Sequence, residues 1–438
     1  MSLAEQVRRA GVVGAGGGGF PAHVKLGGRA EIVIGNGAEC EPLLHKDAAA
    51  MEHRAARVVR GLELVRDAVG AREAVVGVKA KKKAAVEAMQ AACAGSGVRV
   101  HLLGDYYPAG DEYDLVHEVT GRLIPPQGLP LHVGAIVSNV ETLVNVADAA
   151  EGRPVTRKLV TIAGAVREAL TLDVPLGTPY RELLAAAGGA SVEEPVLSIG
   201  GLMMGRTTED LDTPVTKTDA GAVVLPRSHR LIERKLRPKE AQARIGRSAC
   251  DQCRYCTEFC PRFLLGYAVE PHQVMRGLSF TALGADQWNP WAALCCSCGL
   301  CTLFACPEDL YPKEACDDAK GALRATGFKW TGPAPSEPHP FHDGRRVPIA
   351  ALVRKLGVEE WDRPAPLGGP LPDPARLVLP LKQSAGGPAR ALVRPGERVR
   401  AGQELAAAAE GELGVPLHAP CDATVAEVDE RIVLARGA

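Results

Sequence analysis

Apolar and polar positions along this chain repeat with changing periods, and the changes divide it into segments. Residues 2–10 (SLAEQVRRA) set Leu3 and Val7 four apart, the spacing of one helical face. Glu31–Gly35 (EIVIG) is a short apolar run, the pattern of a strand buried on both sides. A helix opens at His45-Lys46-Asp47 and continues to about Val69. Ala74–Val78 reads as a second strand, Lys81–Cys93 as a helix and Val98–Leu103 as a third strand. This alternation predicts a layered α/β domain over residues 1–152. Over residues 153–235, strands at Lys158–Ala163, Pro195–Ile199 and Ala222–Leu225 surround one helix at Tyr180–Ala187, which a turn at Val174–Tyr180 introduces. That pattern predicts a small β-grasp domain. A basic helical stretch, Arg230–Arg247, leads into a cysteine-rich unit over residues 236–330. Prolines and charges dominate residues 331–375, a linker that packs down in part and carries one helix at Pro348–Gly357. Short strands with glycine turns fill residues 376–438. The expected fold class is multidomain, α/β and α+β.

The strongest chemical signal is a pair of cysteine runs. The first, CDQCRYCTEFCP, places Cys250, Cys253, Cys256 and Cys260 before Pro261. The second, CCSCGLCTLFACP, places Cys295, Cys298, Cys301 and Cys306 before Pro307. Three thiolates at two-residue intervals wrap one cuboidal cluster, and a fourth beyond them reaches the neighbouring cluster. This predicts one 4Fe–4S cluster on Cys250, Cys253, Cys256 and Cys306, and another on Cys295, Cys298, Cys301 and Cys260. Zinc knuckles would use two ligands from each run and leave the third cysteine and the proline without a role. Cys296 breaks the spacing and reads as a spare buried thiol, and Cys316 has no partner spacing. Trp288, Pro290 and Trp291 between the runs read as core and cluster shielding.

Composition narrows the setting. Lys and Arg number 51 against 52 Asp and Glu, so no basic excess points to nucleic acid. There is no run of 18 apolar residues to span a bilayer. The opening MSLAEQVRRAG lacks the apolar stretch of a secretory signal, and thirteen cysteines predict a reducing cytoplasm.

Gly14-Ala-Gly-Gly-Gly-Gly-Phe-Pro21 lets backbone amides approach a phosphate or ring face, with Lys25 close behind as a cation. Asn36-Gly-Ala-Glu-Cys-Glu-Pro42 lies at the carboxyl end of a strand, where α/β sheets place ligands. With Tyr107-Pro-Ala-Gly-Asp-Glu112 and Asn139-Val-Glu-Thr-Leu143, these stretches resemble, in order and spacing, the four flavin-site motifs of the NADH-oxidising subunit of respiratory complex I. The family reads GRGGAGFP, NADESEP, YICGEE and NNVETL there; Ala15, Ala38 and Ser138 are departures in this chain. The resemblance implies FMN held by Gly14, Gly16, Gly17, Lys25, Asn36, Glu39, Asn139 and Thr142. It also implies that Tyr107, Gly110, Asp111 and Glu112 line the flavin and the nicotinamide of NADH, with Glu112 orienting the ring for hydride transfer. Residues 153–235 resemble the soluble-ligand-binding β-grasp domain of the same subunit. Residues 376–438 resemble a barrel-sandwich hybrid without its lipoylated lysine.

This set of domains is similar to two families. The RnfC-type electron-transport proteins carry the sandwich at the amino end, and the cobalamin reductases of propanediol-utilising microcompartments carry it at the carboxyl end, as here. The second resemblance implies an enzyme that passes electrons from NADH through FMN and two 4Fe–4S clusters to a corrinoid. Its implied partners are cobalamin or a corrinoid-dependent enzyme or adenosyltransferase, and a microcompartment shell protein, with a cytoplasmic, microcompartment location. The first implies an electron conduit that serves another protein or a membrane complex.

Overall fold

The computed structural model describes residues 1–279, 289–409 and 411–436, so Trp288 lies outside the described residues. Strand Ile32–Gly37 pairs in parallel with Glu73–Lys79 on one side and Ala135–Asn139 on the other. Val98–Leu103 completes a four-stranded parallel sheet. Helices Lys46–Val69, Lys83–Cys93 and Val140–Ala150 pack on Val33, Val76 and Val78 of one face. Helix Glu112–Thr120 packs Leu115 and Val116 on Ile34, Val75 and Val137 of the other. Cover on both faces explains the apolar runs at Ile32–Ile34 and Ala74–Val76, whereas the edge strand Val98–Leu103 carries Arg99 and His101. Gly61 lets helix Lys46–Val69 press on Val140–Ala150, since a Cβ there would stand 2.1 Å from the Leu143 carbonyl oxygen.

The second sheet has six strands, in the order Leu367–Pro370, Leu170–Pro175, Arg157–Gly164, Gly221–Pro226, Pro195–Ile199 and Arg206–Thr208. Three of these are not legible in the sequence, the short edge strand Arg206–Thr208 among them. Leu170–Pro175 ends in the stretch that reads as a turn, where Asp173 and Pro175 mask its strand character. Leu367–Pro370 comes from the expected linker and joins the sheet edge in parallel with Leu170–Pro175. The same segment pairs Val347–Pro348 with Tyr106–Tyr107. Its helix Ile349–Leu356 puts Leu352, Val353 and Leu356 into a core shared with Leu300 and Leu303 of the second cysteine run.

In the cysteine-rich unit, Cys260 precedes a short helix, Pro261–Leu264. Proline at its first position gives up only an N–H that would have no helical partner. Near the carboxyl end, antiparallel sheets of four and three strands form a sandwich. Leu377, Leu405 and Leu434 of this sandwich belong to one apolar cluster with Val7, Val12 and Val33, so its core is continuous with that of the α/β domain. The fully buried Lys217 of the β-grasp region donates from Nζ to the carbonyls of Gly11 (2.7 Å) and Pro416 (2.8 Å), where three domains meet. Burial lowers its pKa to about 7.

Candidate functional site

A cavity of about 360 Å³ opens at the carboxyl ends of strands Ile32–Gly37 and Ala135–Asn139, the usual ligand position in a parallel sheet. Gly14, Gly16, Lys25, Asn36, Glu39, Tyr107, Gly110, Asp111, Glu112, Asn139 and Thr142 all line it. Gly17 shares the glycine loop at φ +108°, but Gly18 rather than Gly17 forms the wall.

The loop is closed at its ends by Gly14 N–H to the Phe20 carbonyl (2.9 Å) and Gly19 N–H to the Gly14 carbonyl (3.2 Å). Among the described residues, nothing accepts a hydrogen bond from the amides of Gly16, Gly17 or Gly18. Three free amides in a glycine loop fit an anionic phosphate such as that of FMN. Substitution of Ala15 for arginine does not loosen the loop. The Ala15 amide donates to Thr142 Oγ1 (2.9 Å), and its carbonyl accepts from Lys158 Nζ (3.2 Å).

Lys158 belongs to a buried charge network of which the quoted motifs contain only Glu141. Glu141 Oε2 lies 2.7 Å from Lys158 Nζ and 3.2 Å from Lys46 Nζ, with these three side chains at most 3% exposed. Lys46 also reaches Asp47 Oδ1 at 2.5 Å, and Asp47 Oδ2 accepts from Asn139 Nδ2 at 2.9 Å. Glu141 Oε1 accepts from the Leu159 amide at 2.8 Å, tying the α/β domain to the β-grasp sheet. Two lysines balance two carboxylates, the condition for keeping charges buried. A lysine inside the apolar run Lys158–Ala163 is the one available signal.

Above this floor, Glu39 is half-buried with φ +20° and accepts at Oε2 from the amides of Asp47 and Ala48. Its Oε1 is buried without a partner, free for a group in the cavity. Burial, aided by the negative charge of Asp47, pushes its pKa up to about 7. At the rim Lys25 Nζ donates to the Val137 carbonyl (2.8 Å) and to Glu112 Oε1 (3.3 Å), and the Glu112 side chain is 44% exposed. Asp111 faces away from a purely ligand role. Both its oxygens accept from Arg262, at 2.5 and 3.1 Å, and it caps helix Glu112–Thr120.

The cysteines gather in two neighbouring groups. Cys250, Cys253, Cys256 and Cys306 line one small pocket with Gln252 and Arg254. Cys260 lies among Cys295, Cys296 and Cys298, and Cys301 is close to Cys260, Cys295 and Cys256. The thiols outside the spacing sit here too, with Cys296 beside Cys298 and Cys316 beside Cys295. Burial raises the Cys256 thiol to about 12, so clustered thiolates need a cationic group to hold them. Among the described residues no three candidate ligands converge tightly enough for a single ion. The second group adjoins the first cavity. Cys296 and Cys298 line its wall, and Tyr107 Oη donates to the Cys298 carbonyl at 2.7 Å.

The chain is 43% identical over 438 residues to the protein named cobalamin reductase PduS of Salmonella typhimurium, covering 99% of this chain and 96% of that one. It is 40% identical to its namesake from Citrobacter freundii, covering 100% of this chain and 97% of that one. The chain belongs to the PduS cobalamin reductase family. Residues 7–148 match the Nuo51 FMN-binding domain, 159–207 the SLBB domain, 249–311 the 4Fe-4S dicluster domain and 369–437 the RnfC barrel sandwich hybrid domain. The chain is thus an iron–sulfur flavoprotein oxidoreductase built on a flavin domain of complex I type. It is also 37% identical to a component of the proton-translocating ferredoxin:NAD(+) oxidoreductase complex of Clostridium ljungdahlii, over 59% of this chain and 55% of that one. No helix among the described residues is long and apolar enough to cross a membrane.

Proposed function

We propose that this protein takes electrons from NADH and delivers them, by way of FMN and two 4Fe–4S clusters, to the cobalt of a corrinoid, the activity in the names of its full-length relatives. The observation that carries this reading is the shared wall, because Cys296 and Cys298 line the same cavity as the glycine loop. FMN, when bound, accepts a pair of electrons and releases them singly, which joins a hydride donor to one-electron clusters. The free amides of Gly16, Gly17 and Gly18 receive its phosphate, and Asn36, Glu39, Asn139 and Thr142 shape the polar end of the cavity. Lys25 and Glu112 at the rim orient the nicotinamide. Cys250, Cys253, Cys256 and Cys306 hold one cluster, and Cys260, Cys295, Cys298 and Cys301 the other. Buried polar contacts around Ala15 support an intact flavin loop over a degraded one, which favours the reductase over the conduit reading. Its partners are then a corrinoid or the enzyme that uses it, and its place the cytoplasm, in a microcompartment.

The test is the anaerobic protein alone, supplied with NADH and cob(III)alamin. It should reduce the corrinoid and carry about eight irons by the four-iron ligation rule. Cys298→Ser should lose about half the iron, and Cys296→Ser none. Stoichiometric zinc, or NADH oxidation that requires an added protein, would refute the reading.

A further inference from the structure

Beside the flavin-type cavity lies a second cleft of about 450 Å³. Asp111 and Cys296 line both, so a wall one side chain thick separates them. Tyr113 and Gln127 of the α/β domain complete one side, the other walls come from the cysteine-rich unit, and Cys295 and Cys296 of the second run line the cleft. Its charge is one-sided: Arg262, Lys320 and Arg324 line it against the single carboxylate of Asp111. Arg262 is spent on Asp111 and lies 3.7 Å over the Tyr113 ring. Lys320 donates to the Cys295 carbonyl. Arg324 has no partner among the described residues and stands exposed in the last turn of helix Pro312–Ala325. Helix polarity alone would favour an arginine there. It does not explain why a second cation, Lys320, converges on the same hollow, or why Phe328 and Leu323 give that hollow an apolar side.

We propose that this cleft binds a nucleotide phosphate that carries a flat heteroaromatic base. The phosphate meets Arg324 and Lys320, where a guanidinium can make paired charge-assisted hydrogen bonds. The base rests on Phe328, as flat rings do on aromatic faces. Two ligands of the proposed reaction carry this chemistry. One is the adenine dinucleotide donor, which would reach the first cavity across the Asp111 wall. The other is the corrinoid acceptor, whose benzimidazole nucleotide tail would bring its ring up against the second cysteine run. The choice of these two rests on the function proposed above; the cleft and its charge do not.

Titration calorimetry on the anaerobic protein loaded with FMN and iron tests this, with three probes. ADP-ribose represents the dinucleotide, cobalamin the complete corrinoid, and cobinamide the same ring without its nucleotide tail. Arg324→Ala should weaken one probe by about tenfold, the size of one lost charge-assisted contact, and Arg324→Lys should restore part of the loss. FMN content and cluster absorbance of the variants must match wild type, which separates lost binding from lost folding. Weakened ADP-ribose assigns the cleft to the donor; weakened cobalamin with indifferent cobinamide assigns it to the acceptor. Equal weakening of cobalamin and cobinamide overturns the nucleotide assignment. So does unchanged binding of every probe in Arg324→Ala and in the double variant with Phe328→Ala. If wild type fails to oxidise NADH while Arg324-dependent binding persists, the functional reading falls and the cleft stands.

Discussion

The floor and the rim of the flavin-type cavity use the same residue chemistry in opposite ways. At the floor Lys46, Lys158, Asp47 and Glu141 are buried, mutually neutralised and further engaged by Asn139, Leu159 and Ala15. At the rim one lysine and one glutamate, Lys25 and Glu112, meet across 3.3 Å with the carboxylate half in solvent. A partner removed from a buried pair leaves a charge with nowhere to go, whereas an exposed pair contributes little to stability. The difference teaches that exposure sorts these charges by task. Floor charges hold a shape, and rim charges are available to a ligand.

That contrast breaks most easily at Glu141. Glu141→Ala strands Lys46 and Lys158 together and should lower the unfolding free energy by about 3–5 kcal/mol, read from urea denaturation. A loss under about 1 kcal/mol would mean that the floor is not a supporting network. The rim should respond in the reverse sense. Glu112→Ala is expected to slow NADH-driven reduction by roughly 10- to 100-fold, the cost of one charge-assisted contact, with the melting temperature held and dithionite reduction of the clusters intact. Wild-type turnover with FMN fully bound would remove Glu112 from the site. Between floor and rim, Thr142→Val takes away the acceptor of the Ala15 amide, an unsatisfied group costing about 1–3 kcal/mol. It should show as flavin that dialyses out sooner.

The smallest effect expected is a pH dependence at Glu39. Its folded-state pKa is raised from 4.5 to about 7, by burial first and then by Asp47, with Lys46 and Lys82 acting against the shift. The fold therefore favours the protonated carboxyl. This contribution is complete below 4.5 and fades as pH rises through about 7. Thermal melts of flavin-free protein should show wild type losing ground to Glu39→Gln across that window. Parallel curves would show that Glu39 titrates normally.

What is legible in the sequence is local. The cysteine runs announce themselves by spacing, and the glycine loop and the Asn36, Tyr107 and Asn139 stretches by short motifs, because each gathers its polar groups within a few neighbouring residues. Lys158 is hidden, since it matters only once the β-grasp strand lies beneath Ala15, 143 positions away in sequence. Leu367–Pro370 reads as linker because two glycines and a proline form a strand only where an edge waits to receive them. Asp111 lines the cavity, and the structure adds a partner that its motif does not show, since both its oxygens accept from Arg262 of the cysteine-rich unit. In each case a long-range partner decides, and one-dimensional pattern carries no trace of it.

The sandwich carries one more consequence. Its first strand, Arg376–Pro380, lies antiparallel against its last, Arg431–Ala435, with Arg376 opposite Ala435, so the chain enters and leaves the module at the same corner. Its seat is fixed by the module's own residues: Val378 donates to the Gly177 carbonyl, Ala385 donates to the Gly19 carbonyl, Gln383 accepts from the Lys217 amide, and its leucines share a core with Val7 and Val12. Address and attachment are therefore separate properties of this module. Spliced to the opposite end of a polypeptide through a sufficient tether, it would dock on the same face beside the glycine loop. Rearranged gene architectures can thus converge on one assembled particle.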